Sequence, residues 1–173
     1  MNNTQANVVL RLCAFAVDWL IFALWGGLVF GVVMLATGGD PPQPSGPWKA
    51  QAIGFLIVTL PFTLYFALCE SSRWRASIGK RIVGLRACRR SGEPLSFARA
   101  LLRNAIKFIP WEFGHTLAQQ ATFAGDDGFP LWLWGPTVLG VIGPVWWIVA
   151  LFVTGDAPYD RWADARIVRL SKP

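Results

Sequence analysis

The chain has 173 residues, of which 54% are hydrophobic and only 15% are charged, whereas about 25% of the residues of soluble domains carry a charge. Its mean hydropathy is +0.42. This composition excludes an ordinary soluble domain and indicates a small integral membrane protein. The formal net charge of +6 does not indicate a nucleic-acid partner, because the basic residues lie beside apolar segments and no DNA-binding motif accompanies them.

The sequence contains few residues suited to metal binding or catalysis. The three cysteines, Cys13, Cys69 and Cys88, have no spacing typical of a zinc site or a disulfide framework, so we expect no metal and no cofactor. His115 is the only histidine. Nucleophile elbows and zincin motifs are not found in the sequence. We therefore do not expect the protein to be an enzyme.

The first apolar segment, residues 10–36, is long enough to cross a bilayer and contains Asp18. We expect it to be a retained span, because the preceding residues lack the basic start of a signal peptide. A carboxylate at that depth costs about 2.5–3.5 kcal/mol on insertion scales, so it normally has a partner or a function. Arg11 precedes Asp18 by seven residues. Along a helix this is about 10 Å, too far for a direct salt bridge.

A second apolar segment, residues 50–69, follows a turn rich in glycine and proline, and its Pro61 can kink the helix. Residues 70–100 are rich in arginine and lysine, so the positive-inside rule predicts that this loop is cytoplasmic. Its pattern around Ser91 and Gly92 predicts two short extended pieces, as in a hairpin. The loop also contains a basic motif, which we expect to set topology or to face anionic lipid. The residues of this motif are Gly79, Lys80, Arg81, Gly84 and Arg86.

The third segment, residues 101–123, is less apolar, and Pro110 should break or kink it. A glycine–aspartate turn at residues 125–128 leads to a strongly apolar segment, residues 131–153, and then to a basic tail, residues 154–173. Because the basic loop and the basic tail should lie on one side, the chain between them must cross an even number of times. We therefore predict an all-α protein with four spans and both termini in the cytoplasm. The alternative is a third segment that lies flat in the interface.

Matching depths along these spans predicts the ion pairs. Arg11 should meet Asp160 at the cytoplasmic surface. Asp18 lies about 10 Å deeper, at the depth of a residue one to two turns into the third span. Its expected partner is therefore Arg103 or Lys107.

Three further residues are secondary candidates for this charged constellation. Asp164 is an alternative partner for Arg11, while Glu112 and His115 lie deeper in the third span. Ionisable groups at several depths are what a proton or cation relay requires. The alternative is that these charges only hold the helices together.

Three stretches of the sequence together resemble the RDD family of small bacterial membrane proteins, which is named for one arginine and two aspartates. The stretches are RLCAFAVD at 11–18, SIGKRIVGLRACRRSGEPLSFARALLRNAIKF at 77–108 and YDRWADARIV at 159–168. The resemblance selects Arg11, Asp18 and Asp160, and it implies a single membrane domain over residues 1–173 in a bacterial inner membrane. Tyr159 stands where the family usually has histidine, which leaves a proton role for that histidine without support here.

Two functions are compatible with these features. The first is transport of a cation, proton or small solute through the charged constellation, by a protein that we expect to form a homo-oligomer. Transport is also the activity that the family resemblance implies. The second is a non-transporting scaffold or assembly accessory whose basic cytoplasmic face binds anionic lipid or a partner protein. Four spans are few for an alternating-access carrier, which usually contains two repeats, and no repeat is evident in the sequence.

Overall fold

The computed structural model describes residues 6–124 and 130–169, so the turn predicted at residues 125–128 and the last four residues of the tail lie outside the described residues. The protein is mostly helical. In chain order its elements are α1 (Val8–Ala36), α2 (Pro47–Gly54), a π-helical turn (Phe55–Thr59), α3 (Leu60–Ser71), α4 (Ile78–Ile82), β1 (Leu85–Arg89), α5 (Phe97–Phe123), a 3-10 turn (Leu131–Leu133), α6 (Trp134–Thr154), α7 (Pro158–Trp162) and β2 (Ala165–Arg169).

Three helices among the described residues are long and apolar enough to cross a membrane: Val8–Ala36, Pro47–Ser71 and Leu131–Thr154. They correspond to the first, second and fourth predicted spans. Many large apolar side chains of the first and third of these helices are exposed, as expected for surfaces that contact lipid. The prediction of an integral membrane protein is therefore supported by both composition and fold.

The second of these helices changes its hydrogen bonding just before Pro61. Because proline has no N–H, the carbonyl of Ile57, four residues earlier, has no helical donor. The indole Nε1–H of Trp25 in α1 donates to this carbonyl at 2.9 Å. The preceding residues form the π-helical turn, in which the Leu60 N–H donates to the carbonyl of Phe55. Trp25 thus connects α1 to the second helix at the point where the proline removes a hydrogen bond.

The third predicted segment forms α5, which has 27 residues and is about 40 Å long at 1.5 Å per residue. The side chain of Ser96 caps its start by accepting from the backbone N–H of Arg99. The helix continues through Pro110, so the chain does not break there. It packs against α2, α3 and α6. Since much of its surface faces other helices, polar residues are tolerated, which explains its low hydropathy.

Glycines bring α6 close to α5 near Pro110. A Cβ atom added to Gly143 would lie 2.8 Å from Cγ of Pro110, and one added to Gly140 would lie 3.1 Å from the backbone nitrogen of Gly114. Small residues of this kind let helix backbones approach in a bilayer, where van der Waals packing drives helix association. The glycines of α6 therefore determine how closely the two helices pack.

The two strands form one antiparallel sheet with Ala87 opposite Ile167 at its centre. The prediction of a hairpin around Ser91 and Gly92 is therefore wrong in its second strand, because β1 pairs with the tail instead. The chain after Gly92 leads directly to Ser96, the N-cap of α5, and leaves no length for another strand. The all-α assignment is corrected accordingly to a mostly helical fold with a small sheet.

The loop and the tail contain the same local unit: a short helix, a two-residue turn and a five-residue strand. The second turn residue has a positive φ in each unit, 74° at Gly84 and 53° at Asp164. Gly84 and Asp164 are 80 residues apart, and the same spacing separates every other pair of equivalent positions in the two units. Ala87 and Ile167, which face each other at the sheet centre, are also equivalent, so a local twofold axis passes between them. The repeat is not evident in the sequence, because few of the equivalent residues are identical.

Candidate functional site

Five buried side chains of alternating charge connect the ends of α1, α3 and α5 nearest the sheet; we call them the charge network, and they are Lys80, Glu70, Arg103, Asp160 and Arg11. Lys80 Nζ donates to Glu70 at 2.8 Å. Arg103 donates to both oxygens of Glu70 at 2.8 Å and also reaches Asp160 at 2.7 Å. Arg11 donates to the other oxygen of Asp160. The predicted pair of Arg11 and Asp160 is thus confirmed.

Asp160 is fully buried in α7 and is held as a carboxylate by its neighbours. Burial alone would raise its pKa, but the guanidinium groups of Arg103 and Arg11 more than offset this, and the pKa lies below its usual value. The backbone N–H of Ala157 also approaches its second oxygen at 3.3 Å. Arg11 makes a further bond, at 2.9 Å, to the carbonyl of Gly155, which ends α6 in a left-handed conformation. α1, α5 and α7 therefore meet at this carboxylate, and Arg11 also connects them to the end of α6.

Asp18 has a different environment from the one predicted. Its pairing with Arg103 or Lys107 is wrong, since Arg103 is bound to Glu70 and Asp160 and Lys107 forms no ion pair with it. Three groups donate to the Asp18 carboxylate: the Ser77 hydroxyl at 2.6 Å, the Gly79 N–H at 2.9 Å and the Tyr65 hydroxyl at 3.1 Å. Matching depths along the spans could not find these donors, because two of them belong to the loop, which folds back onto α1.

Glu70 is the central residue of the charge network that sequence reasoning missed. It is 0% exposed and accepts hydrogen bonds from Lys80, Arg103 and Asn104, the last at 3.0 Å. Asn104 is also completely buried. In the sequence Glu70 only marks the end of the second apolar segment. A carboxylate directly at the end of a span was the available signal, because such a group needs a partner.

The basic motif of the loop divides into a buried part and an exposed part. Gly79 and Lys80 are buried beneath α1 and in the charge network, so for them the expectation of a lipid-facing role is wrong. Arg81 and Arg86 are exposed and remain available for topology or anionic lipid. Gly84 occupies the turn, where its positive φ suits glycine.

Asp164 does not reach Arg11. Its carboxylate is instead 3.1 Å from Nε of Arg89 and 3.2 Å from Nη1 of Arg99. Its side chain is 36% exposed. These bonds connect the tail with the loop and with the first turn of α5, and in such a setting each is worth about 1 kcal/mol or less.

Glu112 and His115 form a second polar cluster, separate from the charge network. Glu112 accepts from Gln51 at 2.7 Å and from the hydroxyl of Thr59, and its carboxylate is 3.4 Å from Nδ1 of His115. It lies nine residues after Arg103 on α5, about 14 Å along the axis. The structure therefore does not join these residues with Arg103 into a continuous series.

A cavity of about 500 Å³ lies between α1, α5 and α6. Its charged and polar lining residues include Arg11, Asp18, Lys80, Arg103, Lys107, His115 and Tyr159. Its remaining walls are mostly apolar and include Phe15, Trp19 and Ile148. Phe15 and Ile148 are 38% and 47% exposed, and among the described residues α1 packs against α6 near Val8, Trp147 and Leu151 but shows no extensive contact along its length. The cavity therefore opens sideways between these two helices.

Lys107 extends towards this cavity from α5 and is surrounded by aromatic rings. Its Nζ atom is 4.0 Å from the centroid of Phe66, 4.8 Å from that of Phe15 and 5.3 Å from that of Phe108. Rings at these distances attract an ammonium group but do not neutralise its charge. Within residues 6–124 and 130–169, Lys107 forms no salt bridge.

A comparison with protein families places these observations in context. The family model described as the RDD family matches residues 5–164 of the chain. This range contains the whole charge network, Asp18 and the seven α-helices found among the described residues. A search of curated proteins found no match to the chain.

Proposed function

Because the chain belongs to the RDD family and contains helices that can cross a membrane, we propose that it is a four-span protein of a bacterial inner membrane that binds a small solute in the cavity between α1, α5 and α6 and helps it to cross. The volume of the cavity limits the size of this solute, and the charged floor of the cavity favours a solute with polar or charged groups. Arg11, Lys80 and Arg103 of the charge network line that floor, and the network as a whole holds the surrounding helices in place.

The pairing of β1 with β2 supports the four crossings. The sheet holds the basic loop and the tail together, so the chain between them must return to the side that it left. α6 crosses once, and α5, with 27 residues, is long enough to cross as well. The arginines and lysines of the loop favour the cytoplasm for this side, which also places both termini there.

The cavity is the strongest support for a role in transport. Pockets of about 300–1,000 Å³ that combine apolar walls with a few polar groups are typical ligand sites. This one lies among helices that can span a bilayer and has ionisable groups on its floor. Such groups within a membrane usually mark a substrate or ion pathway.

A scaffold or assembly accessory is the second candidate, and the saturation of the charge network favours it. Glu70 and Asp160 each bind two cationic side chains, and Asp18 accepts three hydrogen bonds. Carboxylates that are satisfied in this way hold helices together and have no free position for a passing cation. In this case the basic cytoplasmic face would bind anionic lipid or a partner protein.

Blocking the cavity tests the proposed transport. Ile148 lines it, whereas the neighbouring Val149 does not, and both side chains are about half exposed. We expect wild-type protein in liposomes to move at least one probe from a panel of sodium, potassium, protons and small organic anions. Ile148→Trp should lower that flux at least tenfold, and Val149→Trp should leave it unchanged. Absence of flux for every probe, or equal flux in the two variants, would favour the accessory role.

A further inference from the structure

We propose that the cavity binds an anionic amphiphile with a single acyl chain, whose carboxylate or phosphate group pairs with Lys107. This inference rests on the proposed function in one respect, that the cavity is a ligand chamber, and it adds the chemical class of the ligand. Charge, wall chemistry and access each support it.

The groups around the cavity floor carry one more positive charge than negative. The cations are Arg11, Lys80, Arg103 and Lys107, and the carboxylates are Asp18, Glu70 and Asp160. The pairs within the charge network occupy both Glu70 and Asp160. The oxygens of Asp18 are bonded to Tyr65, Ser77 and Gly79. Of these four cations, Lys107 is therefore the one that lacks a carboxylate partner among the described residues, and a half-buried charge without a partner is costly.

The aromatic surroundings of Lys107 make it suitable for an anionic head group. The rings of Phe66 and Phe15 lie on its sides and exclude water, which strengthens an ion pair with a ligand. The Asp18 carboxylate also lines the cavity, but three donors already bind its oxygens. An anion that binds Lys107 neutralises the excess charge, whereas a metal cation or a proton would increase it.

The walls and the opening match an acyl chain. Trp19, Trp147 and Ile148 line the cavity, and their ring faces and alkyl groups offer apolar surface to a chain. The lateral opening between α1 and α6 faces the side on which lipid would lie. An amphiphile can enter from the bilayer by this route. The volume of about 500 Å³ suits one chain and a small head group rather than a two-chain phospholipid.

Photo-crosslinking to the full chain in nanodiscs of phosphatidylcholine tests the inference. The probes are palmitate with a diazirine in its chain, the matching lysophosphatidate and the neutral hexadecanol analogue. We expect saturable labelling by one or both anionic probes, mapped to cavity residues such as Leu12 and Ile148. Labelling by the alcohol should be at least tenfold weaker. Lys107→Gln should lower anion labelling at least tenfold, and Lys107→Arg should retain it.

A second variant controls for misfolding of Lys107→Gln, and two soluble anions test whether the site requires an acyl chain. Ile148→Trp should block labelling sterically while leaving Lys107 intact, so it reports on the cavity even if Lys107→Gln fails to fold. Unlabelled palmitate should compete, whereas acetate and inorganic phosphate should not, which separates an amphiphile site from a simple anion site. Comparison of the palmitate and lysophosphatidate probes identifies the head group.

The inference is overturned if Lys107→Gln labels as strongly as wild type, if the alcohol labels equally, or if the labels spread over the whole apolar surface. Flux of another solute that Ile148→Trp blocks, without labelling by either anionic probe, would reject the amphiphile and retain the proposed transport. Specific labelling without flux of any probe would reject transport and retain the binding site.

Discussion

Asp160 of α7 links α1 and α5 through a single carboxylate. It is 0% exposed, and its two oxygens bind Arg11 and Arg103. Because Arg103 also binds Glu70, it would keep one carboxylate partner if Asp160 were neutralised. Arg11 would keep only the carbonyl of Gly155. The cost of neutralising Asp160 is therefore mainly the cost of a guanidinium left buried without a counter-ion.

We expect Asp160→Asn to lower the free energy of unfolding by about 3–5 kcal/mol, the usual effect of breaking a buried ion pair. The matched control is Glu93→Gln, which also removes a carboxylate from an arginine. The Glu93 side chain is 62% exposed in its pair with Arg89, so its loss should cost about 1 kcal/mol or less. Thermal unfolding in detergent compares the variants. Similar shifts in the two would contradict the structural role assigned to Asp160.

At the scale of elements, the contact between α4 and α1 determines where Asp18 lies. α4 approaches so closely that a Cβ atom on Gly79 would be 2.1 Å from the backbone oxygen of Ala14 and 2.9 Å from Cγ of Asp18. The backbone oxygen belongs to α1 and is not free to move away. The same close approach lets the Gly79 N–H donate to Asp18. A single side-chain atom at this position is therefore incompatible with the contact.

Gly79→Ala should displace α4 from α1 and lower the free energy of unfolding by about 1–3 kcal/mol, as overpacking commonly does. Gly54→Ala is the control, since no atom lies within 4 Å of its Cβ position and the residue is helical. At such a site alanine should be neutral or stabilising by up to about 1 kcal/mol. The unfolding midpoints of the two purified variants check the prediction. If Gly79→Ala were as stable as wild type, the close contact would be refuted.

The elements differ in how well the sequence predicts them, and the reason is the range of the interactions that form them. α1 and α6 follow from hydropathy alone, and α5 follows from parity. The pairing of β1 with β2 has no local signal, since its partners are 76–84 residues apart. The donors to Asp18 were missed for a similar reason, because Ser77 and Gly79 reach it only through the folding of a loop. Arg11 and Asp160 were found because both lie at span ends on one side.

At the scale of the whole molecule, the pairing of β1 with β2 requires the loop and the tail to lie on the same side of the membrane. If α5 lay flat in the interface while α6 crossed, the tail would be on the opposite side from the loop, and β2 could not pair with β1. The basic character of the loop and the tail leads to the same parity by a separate physical effect. Strand pairing and the distribution of basic residues are separate effects, so a direct test of whether α5 crosses the membrane checks both.

Cys88 is a poor reporter for this test, because it is 4% exposed and burial raises the pKa of its thiol. A background without the native cysteines can instead carry single cysteines at exposed positions: Ser45 before α2, Arg86 on β1 and Thr122 near the end of α5. With four spans, a membrane-impermeant maleimide should label Ser45→Cys and Thr122→Cys in spheroplasts but Arg86→Cys only in inverted vesicles. Labelling of Thr122→Cys together with Arg86→Cys would mean that α5 does not cross. If the labelling of all three variants were exchanged between spheroplasts and inverted vesicles, the orientation would be the reverse of the predicted one, with the basic loop outside the cytoplasm.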